Sequence, residues 1–392
     1  MRFSAILAAT VALLATPVLG SPAATLVDIE KYDGQVKQGS YIVTLKSDVS
    51  KTAHLAWLAQ HIGTDNVTHT EWDPKLLNGF AGTFSTNTLN ILRSSPDVES
   101  ISEDGIMSIQ GTQTNAPWGL ARISQDDKLS NQNPNLLTFT YNYPDTAGSG
   151  VDIYIVDTGI FISHSDFGGR ARWGATFGGY ADADGNGHGT HCAGTAAGTQ
   201  FGIAKSANLF AVKVLSDRGS GFVSDIVSGL NFVLTSARAS GRSSIASMSL
   251  GGGASTALDN AVATLTSAGI HVTVAAGNSN VDAANTSPAR APSAVTVGAT
   301  TIADARASFS NFGAVVDIFA PGQNVISSWI GSTTATPHVA GLIACYISSD
   351  GDQSPAAMSQ FLKDQSIMGV ISGIPSGTIN ALARNDQFDD DV

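Results

Sequence analysis

Apolar positions along this chain fall into two rhythms. Between residues 21 and 113, short apolar runs alternate with stretches of helical spacing. Tyr41 to Leu45, Gly79 to Phe84 and Val98 to Ile101 read as strands, and Ala53 to Ile62 and Thr88 to Arg93 read as helices. This predicts a small α+β domain over residues 21–113. Beyond it, near-continuous apolar runs take over at Val151 to Val156, Leu209 to Leu215, Ile245 to Leu250, Ile270 to Ala276 and Ala294 to Val297. Runs with no polar alternate belong to strands covered on both faces. With helical stretches between them at Phe222 to Ala237 and Thr256 to Ala268, they predict an α/β domain over residues 114–392, a mostly parallel sheet flanked by helices. The polar stretch Gly111 to Trp118 reads as a linker or cleavage site between the two.

The first residues follow a third pattern. Arg2 precedes an apolar segment from Ala5 to Leu14, and small residues follow around Gly20 and Ser21. The segment is too short to cross a bilayer, so residues 1–20 read as a secretory signal and the chain as secreted and extracellular, with no membrane partner. Composition changes little in this picture. Charged residues make up only 13% of the chain and glycines number 41, which suits a compact domain with many tight turns. The net charge of -12 argues against nucleic acid as a partner. Two cysteines, Cys192 and Cys345, are too few for a disulfide framework and are expected to stay unbridged. Asn66 and Asn285 begin glycosylation sequons, and a monomer is expected.

Candidate chemistry concentrates in Asp184 to Gly194, where Gly185 and Gly187 give the backbone freedom to bring His188 to the mouth of a helix of small residues. In parallel sheets functional groups collect at the carboxyl ends of strands. Asp157 ends the first apolar run there. It reads either as a turn cap or as the carboxylate that fixes an imidazole tautomer and stabilises the imidazolium. Asn278 also follows a buried strand and reads either as a loop residue satisfying local backbone or as an oxyanion donor. Ser249, Leu250 and Gly251 lead into bare glycine backbone, either a flexible loop or an edge on which an extended peptide pairs as an added strand. His191 follows His188 closely, but the pattern lacks the glutamate and third ligand of a zinc motif. Cys192, four positions after His188, falls on the same side of that helix. No Gly-x-Ser-x-Gly elbow follows a strand, which sets aside the other common secreted α/β hydrolase plan.

Asp157-Thr158-Gly159, Gly187 to Gly194, Ser249 to Gly252, Ala275 to Asn278 and Thr336 to Gly341 occur in an order that resembles the subtilisin-like serine endopeptidases, in particular the proteinase K branch secreted by fungi. The resemblance covers nearly the whole chain after the signal, with residues 21–113 similar to that family's inhibitory propeptide, an intramolecular partner of the peptidase domain. It implies hydrolysis of protein and peptide substrates with broad, apolar-leaning specificity. By position, Asp157 would orient His188, His188 would be the general base and Asn278 would donate to the oxyanion. Gly219, Ser220 and Gly221 would form one substrate edge and Ser249, Leu250 and Gly251 the other. Ala275, Ala276 and Gly277 would wall the primary specificity pocket. Pro292, Ala294 and Asp317 match positions that bind a structural calcium ion in that branch.

One segment departs from the family. Its nucleophile lies in Gly-Thr-Ser-Met-Ala shortly before Pro-His-Val-Ala-Gly, whereas this chain reads Gly331-Ser332-Thr333-Thr334-Ala335-Thr336-Pro337-His338. Counting back from Pro337 puts Thr333 at the nucleophile position, with Ser332 one residue early. Aligned from Ile326 instead, a block that would have carried the serine is missing. Either register removes the normal serine, and threonine crowds a site built for it. The expectation is a peptidase impaired at its nucleophile, the alternative a non-catalytic peptide-binding or inhibitory homologue.

Overall fold

The computed structural model describes residues 26–31, 36–62, 69–105, 110–330 and 337–385. The signal at 1–20, Asn66, Ser332 and Thr333 lie outside the described residues. The chain divides into two compact units, Met1–Ile106 and Met107–Val392.

In the first unit, β1 (Ile29–Glu30), β2 (Val36–Leu45), α1 (Lys51–His61), β3 (His69–Glu71), β4 (Gly79–Thr83), α2 (Thr86–Ser94) and β5 (Val98–Gly105) form a five-stranded sheet of order β1-β5-β2-β4-β3 with two helices. Ser50 and Ser85 cap the helices by accepting hydrogen bonds from Ala53 N and Thr88 N. Val43, Leu58, Phe80, Leu92 and Ile101 form the core. The three expected strands and two expected helices all form, and β1 and β3 add two strands that were not expected.

The second unit begins differently from expectation. The stretch read as a linker is β6 (Gln110–Ala116), paired antiparallel with β7 (Phe139–Pro144) on the far side of α3 (Trp118–Arg122). The strand forms without an apolar alternation because polar partners hold it. Lys205 Nζ donates to Gln113 Oε1 at 2.7 Å, and Gln200 Nε2 donates to the Asn115 carbonyl at 2.7 Å.

The main sheet comprises β8 (Asp152–Asp157), β9 (Ala171–Thr176), β10 (Asn208–Lys213), β11 (Ser244–Met248), β13 (His271–Ala275), β15 (Val295–Thr300), β16 (Ile318–Pro321), β17 (Ile367–Met368) and β18 (Ala381–Leu382). Its order is β17-β18-β16-β15-β13-β11-β8-β10-β9, parallel except between β17 and β18. A short antiparallel pair, β12 (Gly252–Gly253) with β14 (Thr286–Ser287), lies outside it. Helices α4 (His188–Ala197) and α7 (His338–Asp350) share one core with Ile153 and Ile155, and α5 (Val223–Ser240) and α6 (Thr256–Ser267) share the other with Tyr154 and Val156. Helix α8 (Pro355–Asp364) adds Met358 and Leu362 to the first core.

This alternation along β8 decides where the chemistry points. Successive side chains of a strand face opposite sides, so Asp157 shares the face of Ile153 and Ile155 and looks toward α4. Helix α4 approaches the strand closely because its residues are small. A Cβ on Gly189 would meet the Gly159 carbonyl oxygen at 2.0 Å. Gly187, at φ +99°, makes the left-handed turn that starts the helix at His188.

Candidate active site

Strands β10, β8, β11 and β13 are neighbours in the sheet, and each carries a predicted site segment just beyond its carboxyl end. The chain runs from β8 to β9 and β10 on one side and then crosses to β11 and β13 on the other, so these loops open a crevice at the switch point.

Asp157 is fully buried there. Its Oδ1 lies 2.7 Å from His188 Nδ1 and also accepts from Thr158 N at 2.7 Å. The His188 side chain is 26% exposed, so the imidazole bridges a sealed carboxylate and the open crevice. The Asp157 charge raises the His188 pKa well above its ordinary 6.5, and burial opposes this. Cys192 Sγ is 3.9 Å from Asp157 Oδ2 and 4.0 Å from His188 Nδ1, on the helix side predicted for it. Burial raises its pKa above the ordinary thiol value. Cys192 and Cys345 are both free.

Three residues that build this geometry were given no role from the sequence, although Asp184 opens the stretch that carries His188. Asp184, almost fully buried, accepts from Thr158 Oγ1, Asn186 N and Gly187 N at Oδ1 and from Thr190 N and Oγ1 at Oδ2. It thereby binds the turn after β8 to the turn before α4. Lys213, 1% exposed, donates to the Thr158 carbonyl at 2.6 Å and to Asp217 Oδ1 at 2.9 Å. Asp217 in turn receives Gly185 N, closing a second tie between the same two turns. Asn311 donates to the Ala276 carbonyl at 2.8 Å and accepts from Ser279 N, bracing the loop that carries Asn278.

Gly219, Ser220 and Gly221 on one side and Ser249, Leu250 and Gly251 on the other line an open groove of about 470 Å³ that also reaches His188. Glycines 219, 221 and 251 to 253 are exposed, and Gly252 and Gly253 pair with Ser287 and Thr286. A second hollow of about 650 Å³ adjoins it, lined by Ala275, Gly277 and the exposed Asn278. Ala276 is buried behind them. Asn285 is exposed at the rim of that hollow.

The calcium trio does not present an open donor set. Asp317 Oδ1 lies 2.7 Å from Lys363 Nζ and Oδ2 accepts from Thr296 N at 2.9 Å, so both carboxylate oxygens are engaged. Ala294 is buried and Pro292 exposed.

Residues 148–387 match the Subtilase family, and residues 40–110 match Peptidase inhibitor I9. The chain is 42% identical over 398 residues to a cuticle-degrading protease of Metarhizium anisopliae, covering 98% of this chain and all of that protein. It is 45% identical over 397 residues to an alkaline serine protease of Corniculantispora psalliotae, covering 98% of this chain and 99% of the other. Among solved structures, a cold-adapted subtilisin-like serine proteinase superposes with a TM-score of 0.63 at 43% identity, covering 69% of this chain and 98% of that one. The chain belongs to the subtilase family of serine endopeptidases, with an inhibitor-type propeptide domain ahead of its peptidase domain.

Proposed function

We propose that this chain is a secreted subtilisin-like endopeptidase precursor of broad, apolar-leaning specificity, acting extracellularly as a monomer, whose site is assembled except for its nucleophile. The observation that carries the reading is the 2.7 Å contact of Asp157 with His188 on a groove walled by two runs of exposed glycine backbone. Bare backbone on both sides suits an extended peptide, which pairs through main-chain groups. In an intact member of the family, His188 accepts the serine proton as the carbonyl is attacked. Asp157 holds its Nδ1 and stabilises the imidazolium, and the Asn278 amide donates to the oxyanion.

The impairment rests on the text Gly331 to His338, which carries no serine in register. Thr333 stands at the nucleophile register with Ser332 one residue before it, and a displacement of about 1 Å at such a site costs on the order of a hundredfold in rate. The second reading, a homologue that binds peptides without cleaving them, is favoured by the same break, because it leaves both glycine edges intact. Removal of the inhibitor domain near Gln113 and a glycan on Asn285 complete the proposed precursor.

The test is to incubate the purified chain, freed of residues 21–113, with a protein substrate and a fluorophosphonate probe. Neither turnover nor a labelled Ser332 or Thr333 is expected. Rapid hydrolysis with labelling of either residue would refute the impairment, as would a transcript that restores Gly-Thr-Ser-Met-Ala between Trp329 and His338. Binding of an extended peptide without turnover marks the second reading.

A further inference from the structure

The family pattern places a calcium ion on the Pro292 and Ala294 carbonyls and the Asp317 carboxylate, and the structure finds that carboxylate already neutralised. We infer that the Lys363 ammonium takes the place of the metal on Asp317, so that a cation covalently built into α8 does the clamping and the chain takes up no calcium there.

Asp317 is pinned to β15 twice, by its own N–H donating to the Thr296 carbonyl at 2.9 Å and by Oδ2 accepting from Thr296 N. Its carboxylate therefore cannot swing toward a new partner without giving up the Thr296 N–H. The one remaining oxygen, Oδ1, faces Lys363 Nζ at 2.7 Å. Lys363 sits in the last turn of α8, one residue after the buried Leu362, and its side chain is 28% exposed against 23% for Asp317. The pair is thus largely covered, with the lysine stem lying along the protein and its head on the carboxylate. The last turn of a helix also favours a cation. Calcium requires six to eight oxygens at about 2.3–2.6 Å. An ion at that distance from Oδ1 would stand against the ammonium, two cations on one carboxylate.

The experiment is a thermal melt of the purified full chain in millimolar calcium chloride and in EGTA, for the natural sequence, Lys363→Met, Asp317→Asn and the double variant. The melting temperature of the natural chain is expected to show no calcium response that Asp317→Asn removes. Lys363→Met is expected to gain a calcium-dependent rise on the order of 5 °C, which the double variant loses. Lys363→Arg keeps the cation and is expected to stay unresponsive. The inference is overturned if calcium stabilises the natural chain and Asp317→Asn abolishes that effect, a comparison that needs no Lys363 variant to fold. It is also overturned if Lys363→Met folds and gains no response. Because the readout is melting, it is independent of whether the peptidase site is active.

Discussion

Replacing Asp157 by Asn isolates the electrostatics of the site, since the amide oxygen still accepts from Thr158 N while the charge is gone. At the observed 2.7 Å, a full charge pair in surroundings of intermediate dielectric is worth about 6 kcal/mol. Burial of the imidazolium offsets part of this. A net effect of half that size still moves the His188 titration midpoint by about two pH units. The assay is a nitrogen-detected NMR titration of His188 in both proteins. The natural chain is expected to keep His188 charged well above pH 6.5, and Asp157→Asn to bring its midpoint down by about two pH units or more. Stability follows with a definite sign. A group whose folded pKa is raised contributes fully below its unfolded value of about 6.5 and loses that contribution as pH climbs through the folded pKa. The natural chain is therefore expected to lose this contribution on the alkaline side and Asp157→Asn to show no such loss. Titration of His188 near 6.5 in the natural chain, or no change on substitution, would refute the reasoning.

Other consequences follow from the same packing. Gly189→Ala puts a methyl group against the Gly159 carbonyl oxygen, and overpacking against backbone is expected to cost about 1–3 kcal/mol, measured by denaturant unfolding. Asp184→Ala strips five donors of their shared acceptor and is expected to cost about 3–5 kcal/mol, with His188 NMR resonances broadened as the two turns separate. His338 is buried with neither ring nitrogen partnered among the described residues, and burial lowers its pKa to about 3, while burial lowers His191 to about 4. Both contribute stability that is present above about 6.5 and lost as pH falls toward those values, at up to about 1.4 kcal/mol per pH unit each. His338→Leu is expected to flatten that acid slope in pH-dependent unfolding.

The longer strands β2, β4, β5, β8, β10, β11, β13 and β15 and the helices α1, α2, α5 and α6 were legible because their periods of 2 and 3.6 are written locally, whereas short or late elements such as β3, β7, β16 to β18 and α8 were not. Parity along Ile153 to Asp157 also tells which face Asp157 takes once the strand is recognised. Strand β6 escaped because it is held by Gln113 and Asn115 reaching Lys205 and Gln200, bonds that leave no apolar rhythm. Edge strand β9 mixes Arg172 and Trp173 with small residues and was equally silent. Asp184, Lys213 and Asn311 look like ordinary turn or strand-end residues until their partners arrive from elsewhere in the chain.

By itself, the sequence determined the kind of molecule this is: a short α+β unit, a mostly parallel sheet, a histidine placed at a helix mouth, an aspartate at a strand end, and a break where the serine belongs. These are short-range features, carried by side-chain size, backbone freedom and residue order. The tertiary structure alone decided which residues hold Asp157 against His188, which oxygens of Asp317 stay engaged, and that a lysine from α8 pairs with that carboxylate. Those outcomes depend on contacts between segments far apart in the chain. Charges and hydrogen-bond donors select their partners through space, and only the packed sheet brings those partners within reach.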